Sequence, residues 1–379
     1  MGKIDLPNKN GLSFNFNTDK IMDISEEIEE FIISEPSLKK VKFKTQIPKD
    51  IQSNNIIEGI DNDIEAIRRI IGRKIIYDVM DDSDSKEKKV LNLYKAYKYI
   101  LDRKEINKDN LRNLYRLTSD GLISQGDLDH MGEYYREGEV CITNLLYFDD
   151  RITGVTYKDV EKYVDYLLDY IKTAEAKNYT DYFVISQIVH FYFVFIHPYF
   201  DCNGRMSRTV SMWYLLNNQA NAFLNFNRSI PFSKSKYNKS VNSSRDTSDV
   251  THFIKYMLEI EKTQLEKDYI ISSIEKSRGK NFNDNEYLLL EYFLSNNESQ
   301  NLVTLTTKFN SISNHKMKLD DVKEKLNPFL KSGQIIQIGT TNKDLANGEK
   351  NPVFRLNGDM IDFDRTKIKR LDLSNYINK

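Results

Sequence analysis

The sequence contains very little cysteine, and the placement of its two cysteines does not favour a protein held together by disulfides or by zinc. Among 379 residues only Cys141 and Cys202 are cysteines, and they lie far apart with no CxxC spacing. This argues against a disulfide framework and against a structural zinc site. We therefore expect the protein to occupy a reducing compartment.

Net charge and targeting signals are also lacking. The chain has 55 basic and 56 acidic residues, so no overall field favours nucleic acid or an anionic membrane. Residues 1–21 are polar and include no apolar segment of the kind that directs secretion, and the longest apolar run is predicted to be too short for a bilayer. We expect a cytoplasmic protein that does not contact a membrane. An effector exported by a dedicated secretion system would show the same features and stays an alternative.

Glycine and proline are sparse, with 15 and 7 residues, which favours long uninterrupted helices. The fold class is predicted to be mostly α, and the length favours two to three domains. Helical hydrophobic periodicity is clearest in residues 64–71, 90–101, 160–171, 182–196 and 250–265.

The chemistry is concentrated in one window, residues 197–208, with the sequence HPYFDCNGRMSR. The preceding residues 188–196 are almost entirely apolar, which is typical of a buried element, and Pro198 cannot continue them as a helix. Asn203 and Gly204 form a strong turn pair, and a second periodic stretch begins at Arg205. The window is therefore predicted to be a loop that opens a helix.

A helix that starts here would bind an anion. Its first backbone N–H groups are unpaired and carry partial positive charge, which suits phosphate. Arg205 and Arg208 add two forked, charged donors. Asp201 has the wrong charge for phosphate but suits a Mg²⁺ ion that bridges two phosphates. His197 remains as the group that can accept a proton near neutral pH.

The window resembles the signature of the Fic family, commonly written HPFx(D/E)GNGRxxR. Members of that family transfer part of a nucleotide, usually AMP from ATP, to a hydroxyl group of a target protein. The resemblance implies a protein adenylyltransferase that uses Mg-ATP. The matching positions are His197, Pro198, Asp201, Asn203, Gly204, Arg205 and Arg208.

The resemblance also assigns roles. Seven residues are predicted to act: His197 as catalytic base, Asp201 as metal ligand, Asn203 and Gly204 on the α-phosphate, Arg205 on the β-phosphate, Arg208 on the γ-phosphate, and Tyr237 beside the base and ribose. The protein substrate would present a Ser, Thr or Tyr hydroxyl. Self-modification and a homo-oligomer stay open.

Two positions depart from the family pattern. Tyr199 replaces Phe and keeps an aromatic anchor, whereas Cys202 replaces a Gly. If the loop needs a positive φ at Cys202, its Cβ would cost about 1–2 kcal/mol. The thiol could either pack in the loop or act as a redox-sensitive group, and packing is favoured.

A second segment, residues 53–60 with the sequence SNNIIEGI, resembles the inhibitory motif S/T-x-x-x-E-G/N of Fic proteins. In that motif the Glu pairs with the second Arg of the signature and blocks the seat of the γ-phosphate. By resemblance, Glu58 pairs with Arg208 and inhibits the enzyme. Asn54 stands where the motif has a hydroxyl residue, and we expect its side-chain oxygen to cap the helix. An ordinary helix with a solvated Glu58 is the alternative.

Residues 132–143 are predicted to form a hairpin, because two glycines flank charged residues and β-formers follow them. By resemblance this hairpin is a flap that aligns the target chain. Arg136 is expected to support the flap, and His190 to be a packed or supporting histidine rather than a second base.

We divide the chain into four parts. Residues 1–45 are an extension with a short helix at 23–33, residues 46–115 a helical region, residues 116–265 the catalytic core, and residues 266–379 a winged-helix-like domain. That last domain is predicted from helices at 287–294, 302–309 and 319–332 and strands at 334–338 and 353–356. The helix at 319–332 mixes acids with its lysines, so protein contact is favoured over DNA binding.

Three alternatives to ATP-dependent transfer stay open. The donor could be another nucleotide triphosphate or a CDP-alcohol, because the signature recognises phosphates rather than a base. Glu58 could orient a water so that the protein removes AMP. The chain could also be a winged-helix regulator that senses a nucleotide; the intact His197 and the two arginines argue against this.

Overall fold

The computed structural model of the chain describes residues 2–40, 43–60, 64–77, 84–142, 152–278, 293, 299–313, 317–345 and 347–356. Two compact units are present. The first contains Met1–Ile60 and Ala66–Lys262, and the second contains Asp61–Glu65 and Thr263–Lys379. The division into four parts that the sequence suggested stays a prediction.

The described chain is mostly helical, as the sequence predicted. Each of the five periodic stretches corresponds to a helix to within one residue, Leu101 and Val250 lying just outside theirs, and each helix is longer than its stretch. The helices of residues 1–278 are α1 Met22–Ser34, α2 Phe43–Ile57, α3 Ile64–Tyr77, α4 Ser85–Ile100, α5 Lys108–Ser119, α6 Gln125–Leu128, α7 Val160–Thr173, α8 Tyr179–Ile196, α9 Asn203–Asn217, α10 Lys234–Thr247 and α11 Thr251–Arg278.

Helices α8 and α9 form the centre of the first unit and pack against each other. A capping box between Asn178 and Asp181 starts α8, and a left-handed residue, His197, ends it. By length and composition α8 could cross a membrane, but 78% of that window is buried inside the protein. Such burial is what the core helix of a soluble protein shows, so α8 is weak evidence for a membrane span.

The N-terminal segment is more ordered than the extension we predicted. Strands β1 (Gly2–Pro7) and β2 (Ser13–Phe16) form an antiparallel hairpin, and the predicted short helix follows as α1. Phe14 is 1% exposed and makes edge-to-face contacts with Phe191 and Phe195 of α8. The hairpin therefore closes the core beside α8. Its periodicity is too short to indicate a strand, because β2 has only four residues.

The predicted hairpin at residues 132–143 is wrong in its pairing. Cys141–Ile142 (β3) pairs with Ile152–Thr153 (β4), while residues 132–140 form turns with one bridge between Met131 and Arg136. Arg136 accounts for the irregular path. Its guanidinium donates to the backbone oxygens of His197, Gly138 and Val155, which holds this segment against the end of α8.

The second unit contains a three-stranded antiparallel sheet in the order β5, β7, β6. Its elements are β5 Gln300–Asn301, α12 Leu302–Ser313, α13 Leu319–Lys331, β6 Ile335–Asp344 and β7 Lys350–Leu356. Helix α13 buries Val322, Leu326 and Phe329 at helical spacing. The helix predicted at 287–294 lies outside the described residues apart from position 293. The winged-helix likeness and the choice between protein and DNA stay predictions.

Replacing Phe14 by Ala is expected to destabilise the first unit by about 3–5 kcal/mol, because it leaves a cavity between the hairpin and α8. Denaturant unfolding measures this loss. Leu12→Ala is the matched control, since Leu12 lies in the same hairpin but is 65% exposed. Equal small effects of the two substitutions would show that the hairpin does not contribute to the core.

Candidate active site

The loop between α8 and α9 contains two non-glycine residues in the left-handed region. His197 has φ 54° and Cys202 has φ 67°. Asn203 closes the loop, because its side-chain oxygen accepts from the Tyr199 backbone N–H at 3.0 Å and its amide donates to the Tyr199 carbonyl at 2.7 Å. Tyr199 in turn stacks on Tyr115 with ring centroids 3.6 Å apart. The side chain of Asn203 thus shapes the loop and leaves its backbone N–H for a ligand.

Cys202 occupies the position where the family pattern has Gly, and its positive φ means that its Cβ is strained. The thiol is 3% exposed, and its sulfur accepts from Arg205 Nη2 at 3.2 Å. Burial raises the pKa of the thiol to about 12, so the reactive thiolate is scarce at neutral pH. These observations favour packing over a redox role.

His197 lies at the C-terminal end of α8 with a lowered pKa. Burial is the main cause, and the charges of Arg245 and Arg136 add to it, which brings the pKa to about 4. Its Nδ1 lies 3.4 Å from the carbonyl of Val194, an acceptor, so Nδ1 carries the hydrogen and Nε2 has a free lone pair. The histidine is therefore neutral at physiological pH, with a lone pair on Nε2 that can accept a proton.

A site suited to an anion, which we call the anion seat, lies at the start of α9 and includes the Arg205 side chain. Arg205 is 4% exposed, and its Nε and Nη1 have no hydrogen-bond partner within the described part of the chain. Two buried charged donors without acceptors are costly unless a ligand supplies the acceptors. The N-terminus of α9 adds backbone N–H groups beside them. The arrangement suits the phosphates of a nucleotide.

Asp201 is the only one of the predicted residues suited to a metal. Its side chain is 63% exposed, with one oxygen 4.0 Å from Arg205 Nη2. No cluster of three or more His, Cys, Asp or Glu side chains able to hold a metal occurs among the described residues. Mg²⁺ often takes one or two carboxylates and completes its shell with phosphates and water, so a single exposed Asp201 beside the anion seat fits it.

Glu58 and Arg208 are in contact. Arg208 Nη2 donates to Glu58 Oε1 at 2.5 Å; Arg208 is 1% exposed and the Glu58 side chain 33% exposed. Burial alone would raise the pKa of Glu58, but Arg208, followed by Arg205 and Lys234, outweighs it and lowers the pKa. Gly204 allows this approach, because a Cβ there would lie 2.7 Å from Glu58 Oε1.

Asn54 does not cap a helix, contrary to our expectation. It lies inside α2, which begins eleven residues earlier at Phe43, and it is completely buried. Its Oδ1 accepts from Arg208 Nε at 2.5 Å, and its Nδ2 donates to Tyr97 Oη at 2.6 Å and to Asp50 Oδ2 at 3.1 Å. The sequence held a signal for this: Asp50, Asn54 and Glu58 are spaced by four and share one helix face.

The expected place of Tyr237 beside the base and ribose stays a prediction. Tyr237 is 6% exposed, and its hydroxyl lies 2.9 Å from His190 Nε2. His190 is completely buried, its Nδ1 lies 3.1 Å from Gln187 Oε1, and burial lowers its pKa well below the usual value. The neutral His190 thus supports the Tyr237 side chain from the neighbouring helix α8.

Two residues near His197 were missed by the sequence analysis. Gly154 must be glycine, because a Cβ there would lie 2.9 Å from His197 Cβ. Arg245 of α10 contributes positive charge at His197, and its Nε is buried without a hydrogen-bond partner among the described atoms. Neither residue has a local sequence pattern that would have indicated its position, since both depend on long-range packing.

Residues 105–215 match the Fic/DOC family, and this region of the chain is a Fic/DOC domain. The resemblance drawn from residues 197–208 is therefore confirmed. Family membership implies nucleotidyl or AMP transfer to proteins, generally with a nucleotide donor and Mg²⁺. No curated protein matches the chain in sequence.

Solved structures of Fic proteins are similar to the chain. A Fic family protein from Desulfovibrio desulfuricans G20 is 20% identical with a TM-score of 0.53, over 90% of this chain and 95% of that one. Fic-1 from C. elegans is 15% identical with a TM-score of 0.46, over 68% of this chain and 73% of that one. A Fic domain containing signaling protein from Bacteroides thetaiotaomicron VPI-5482 is 13% identical with a TM-score of 0.43, over 69% of this chain and 99% of that one. The first of these supports the fold.

The strain at Cys202 can be measured with a pair of substitutions. Cys202→Gly is expected to be more stable than Cys202→Ala by about 1 kcal/mol, because both lose the sulfur and only Ala keeps a Cβ at positive φ. Thermal or denaturant unfolding of the two variants gives the difference. An Ala variant as stable as the Gly variant would contradict the strain.

The lowered pKa of His197 can be tested by an NMR titration of the imidazole signals. The signal that disappears in His197→Ala is expected to stay in its neutral position from pH 8 down to about 5.5, and to titrate only as the pH approaches 4. The reason is that burial and the nearby arginines disfavour the charged ring. A midpoint close to 6.5 would show that the ring is solvated and unperturbed.

Proposed function

We propose that the protein transfers AMP from Mg-ATP to a Ser, Thr or Tyr hydroxyl of a target protein. The observation that carries this proposal is the Arg205 side chain, whose buried Nε and Nη1 lack partners at the N-terminus of α9, in the same loop-and-helix segment as the neutral His197. An anion seat and an unprotonated base on one segment are what nucleotidyl transfer to a hydroxyl needs.

In the proposed reaction the target hydroxyl approaches the Nε2 lone pair of His197, which accepts its proton. The oxygen then attacks the α-phosphorus, the bond to the bridging oxygen breaks, and pyrophosphate leaves with its electron pair. General base catalysis of this kind contributes about 10²- to 10⁴-fold. The hydrogen on Nδ1 faces the carbonyl of Val194, which keeps the ring in the required tautomer.

The phosphates are proposed to lie along the start of α9. The backbone N–H groups at Asn203 and Gly204 face the charge on the α-phosphate, and Arg205 binds the β-phosphate with its two free nitrogens. Asp201 would hold Mg²⁺, which neutralises phosphate charge when bound. Arg208 would bind the γ-phosphate.

Regulation is proposed to act on Arg208. One guanidinium edge cannot bond both a carboxylate and a phosphate at full strength, and Glu58 occupies Arg208 Nη2. Because charge-assisted hydrogen bonds are worth about 1.5–3 kcal/mol, displacing Glu58 could change productive ATP binding by about one to two orders of magnitude. The protein would thus be inhibited at rest.

The proposal is tested by incubating wild type, Glu58→Gly and His197→Ala with α-labelled ATP, Mg²⁺ and a cell lysate, and following the label on protein. Labelling is expected to rise about 10- to 100-fold with Glu58→Gly, since Arg208 becomes available, and to vanish with His197→Ala, since no base remains. The labelled band identifies the target, and a label on the protein itself would show self-modification.

Absence of label from every variant that binds ATP would reject AMP transfer. The same incubation with other labelled triphosphates and with a CDP-alcohol would then find another donor. Release of AMP from a pre-labelled target by wild type, but not by Glu58→Gly, would instead identify the reverse reaction.

A further inference from the structure

Helix α2 holds Arg208 at two nitrogen atoms, and only the contact at one of them, with Glu58, belongs to the proposed inhibition. Glu58 accepts from Nη2, while Asn54 Oδ1 accepts from Nε, each at 2.5 Å. Nε and Nη2 form one edge of the guanidinium group. Loss of the Glu58 contact therefore leaves half of this edge bonded to α2.

The contact of Asn54 is fixed in a way that the contact of Glu58 is not. Asn54 is completely buried, whereas the Glu58 side chain is 33% exposed and follows the last residue of α2. Breaking a buried hydrogen bond is costly because water cannot replace the lost partner. A partly exposed carboxylate can instead exchange its partner for water. Asn54 thus stays bonded when Glu58 moves away.

Three further side chains set the direction of the Asn54 amide. Its Nδ2 donates to Tyr97 Oη and to Asp50 Oδ2, and Tyr97 donates to Asp50 as well. Asn227 Nδ2 donates to the other Asp50 oxygen at 3.2 Å. Because the acceptors lie on the Nδ2 side, Oδ1 must face Arg208. A Ser at this position has a single O–H donor, so it could not donate to both Tyr97 and Asp50 while accepting from Arg208.

We propose that Asn54 is a positioning residue that keeps the Arg208 guanidinium oriented for a nucleotide γ-phosphate after Glu58 has left, with Asp50 and Tyr97 orienting Asn54. This inference rests on the proposed seat of the γ-phosphate at Arg208. It separates two functions within one helix face: Glu58 competes with the nucleotide, and Asn54 prepares the arginine for it.

The test compares the binding of Mg-ATP and Mg-ADP by isothermal titration calorimetry. The parent is the double variant Glu58→Gly and His197→Ala, in which Arg208 is free of Glu58 and no transfer consumes ATP. Asn54→Leu or Asn54→Ser is added to this parent. Ser53→Ala is the matched control, because Ser53 neighbours Asn54 on α2 but its hydroxyl donates to the Lys49 carbonyl, at 3.1 Å, within the helix.

We expect the Asn54 substitutions to weaken ATP binding roughly tenfold and to change ADP binding by less than about twofold, since only ATP has the γ-phosphate that Arg208 binds. Ser53→Ala should change neither. The ratio of the two affinities is informative because general damage to the fold would lower both equally. Asn54→Ser preserves the measurement if Asn54→Leu does not fold.

Equal losses for ATP and ADP, or no loss for either, would overturn the role of Asn54. A parent that binds ATP no better than ADP would overturn the γ-phosphate seat itself, and with it this inference. A parent that binds neither nucleotide would reject the proposed function before Asn54 is varied. The parent titration therefore distinguishes failure of the function from failure of the positioning role.

Discussion

The burial of the Arg208 guanidinium is the constraint on which the rest of the site depends. A charge that is 1% exposed is tolerated only when its donors are bonded, and removal of one partner from a buried ion pair is costly. Two of the partners, Asn54 and Glu58, come from α2, so α2 must pack closely enough to bring both to the same arginine. A nucleotide that bound Arg208, as we propose, would replace one of these partners rather than occupy an empty space.

The loop before α9 combines strain with rigidity. Two of its residues, His197 and Cys202, have positive φ without being glycine, a conformation that costs energy unless the surroundings impose it. The surroundings here are the paired hydrogen bonds between Asn203 and Tyr199 and the bond from Arg136 to the His197 carbonyl. They fix the position of the base and of the helix start together, which matches the precision that a transfer reaction requires.

The sequence was informative where the chemistry is local and uninformative where it depends on packing. Residues 197–208 predicted the loop, the helix start and the family because their residue types act within one window. The place of Tyr237 stays a prediction, because one tyrosine among 23 carries no positional signal. Arg245 and Gly154 were missed because they approach His197 only through the fold.

Asn54 combines a local signal that the sequence contains with a packing environment that it does not reveal. It was noted only as a departure from a motif, although its spacing from Asp50 and Glu58 already placed three polar side chains on one face of a helix. A polar stripe on a helix is usually solvated, and only the burial of Asn54 and Asp50 shows that this one faces the interior. Periodicity thus located the face, but not its environment.

The N-terminal hairpin has a consequence for synthesis of the chain. Its second strand is joined to the chain far downstream, since the Asn15 backbone N–H donates to the Ser248 carbonyl and the Val250 N–H donates to the Asn15 carbonyl. A ribosome must therefore add more than two hundred residues after this hairpin before the hairpin can meet these partners. Until then the side chain of Phe14, which is 1% exposed in the folded protein, has no core to pack into.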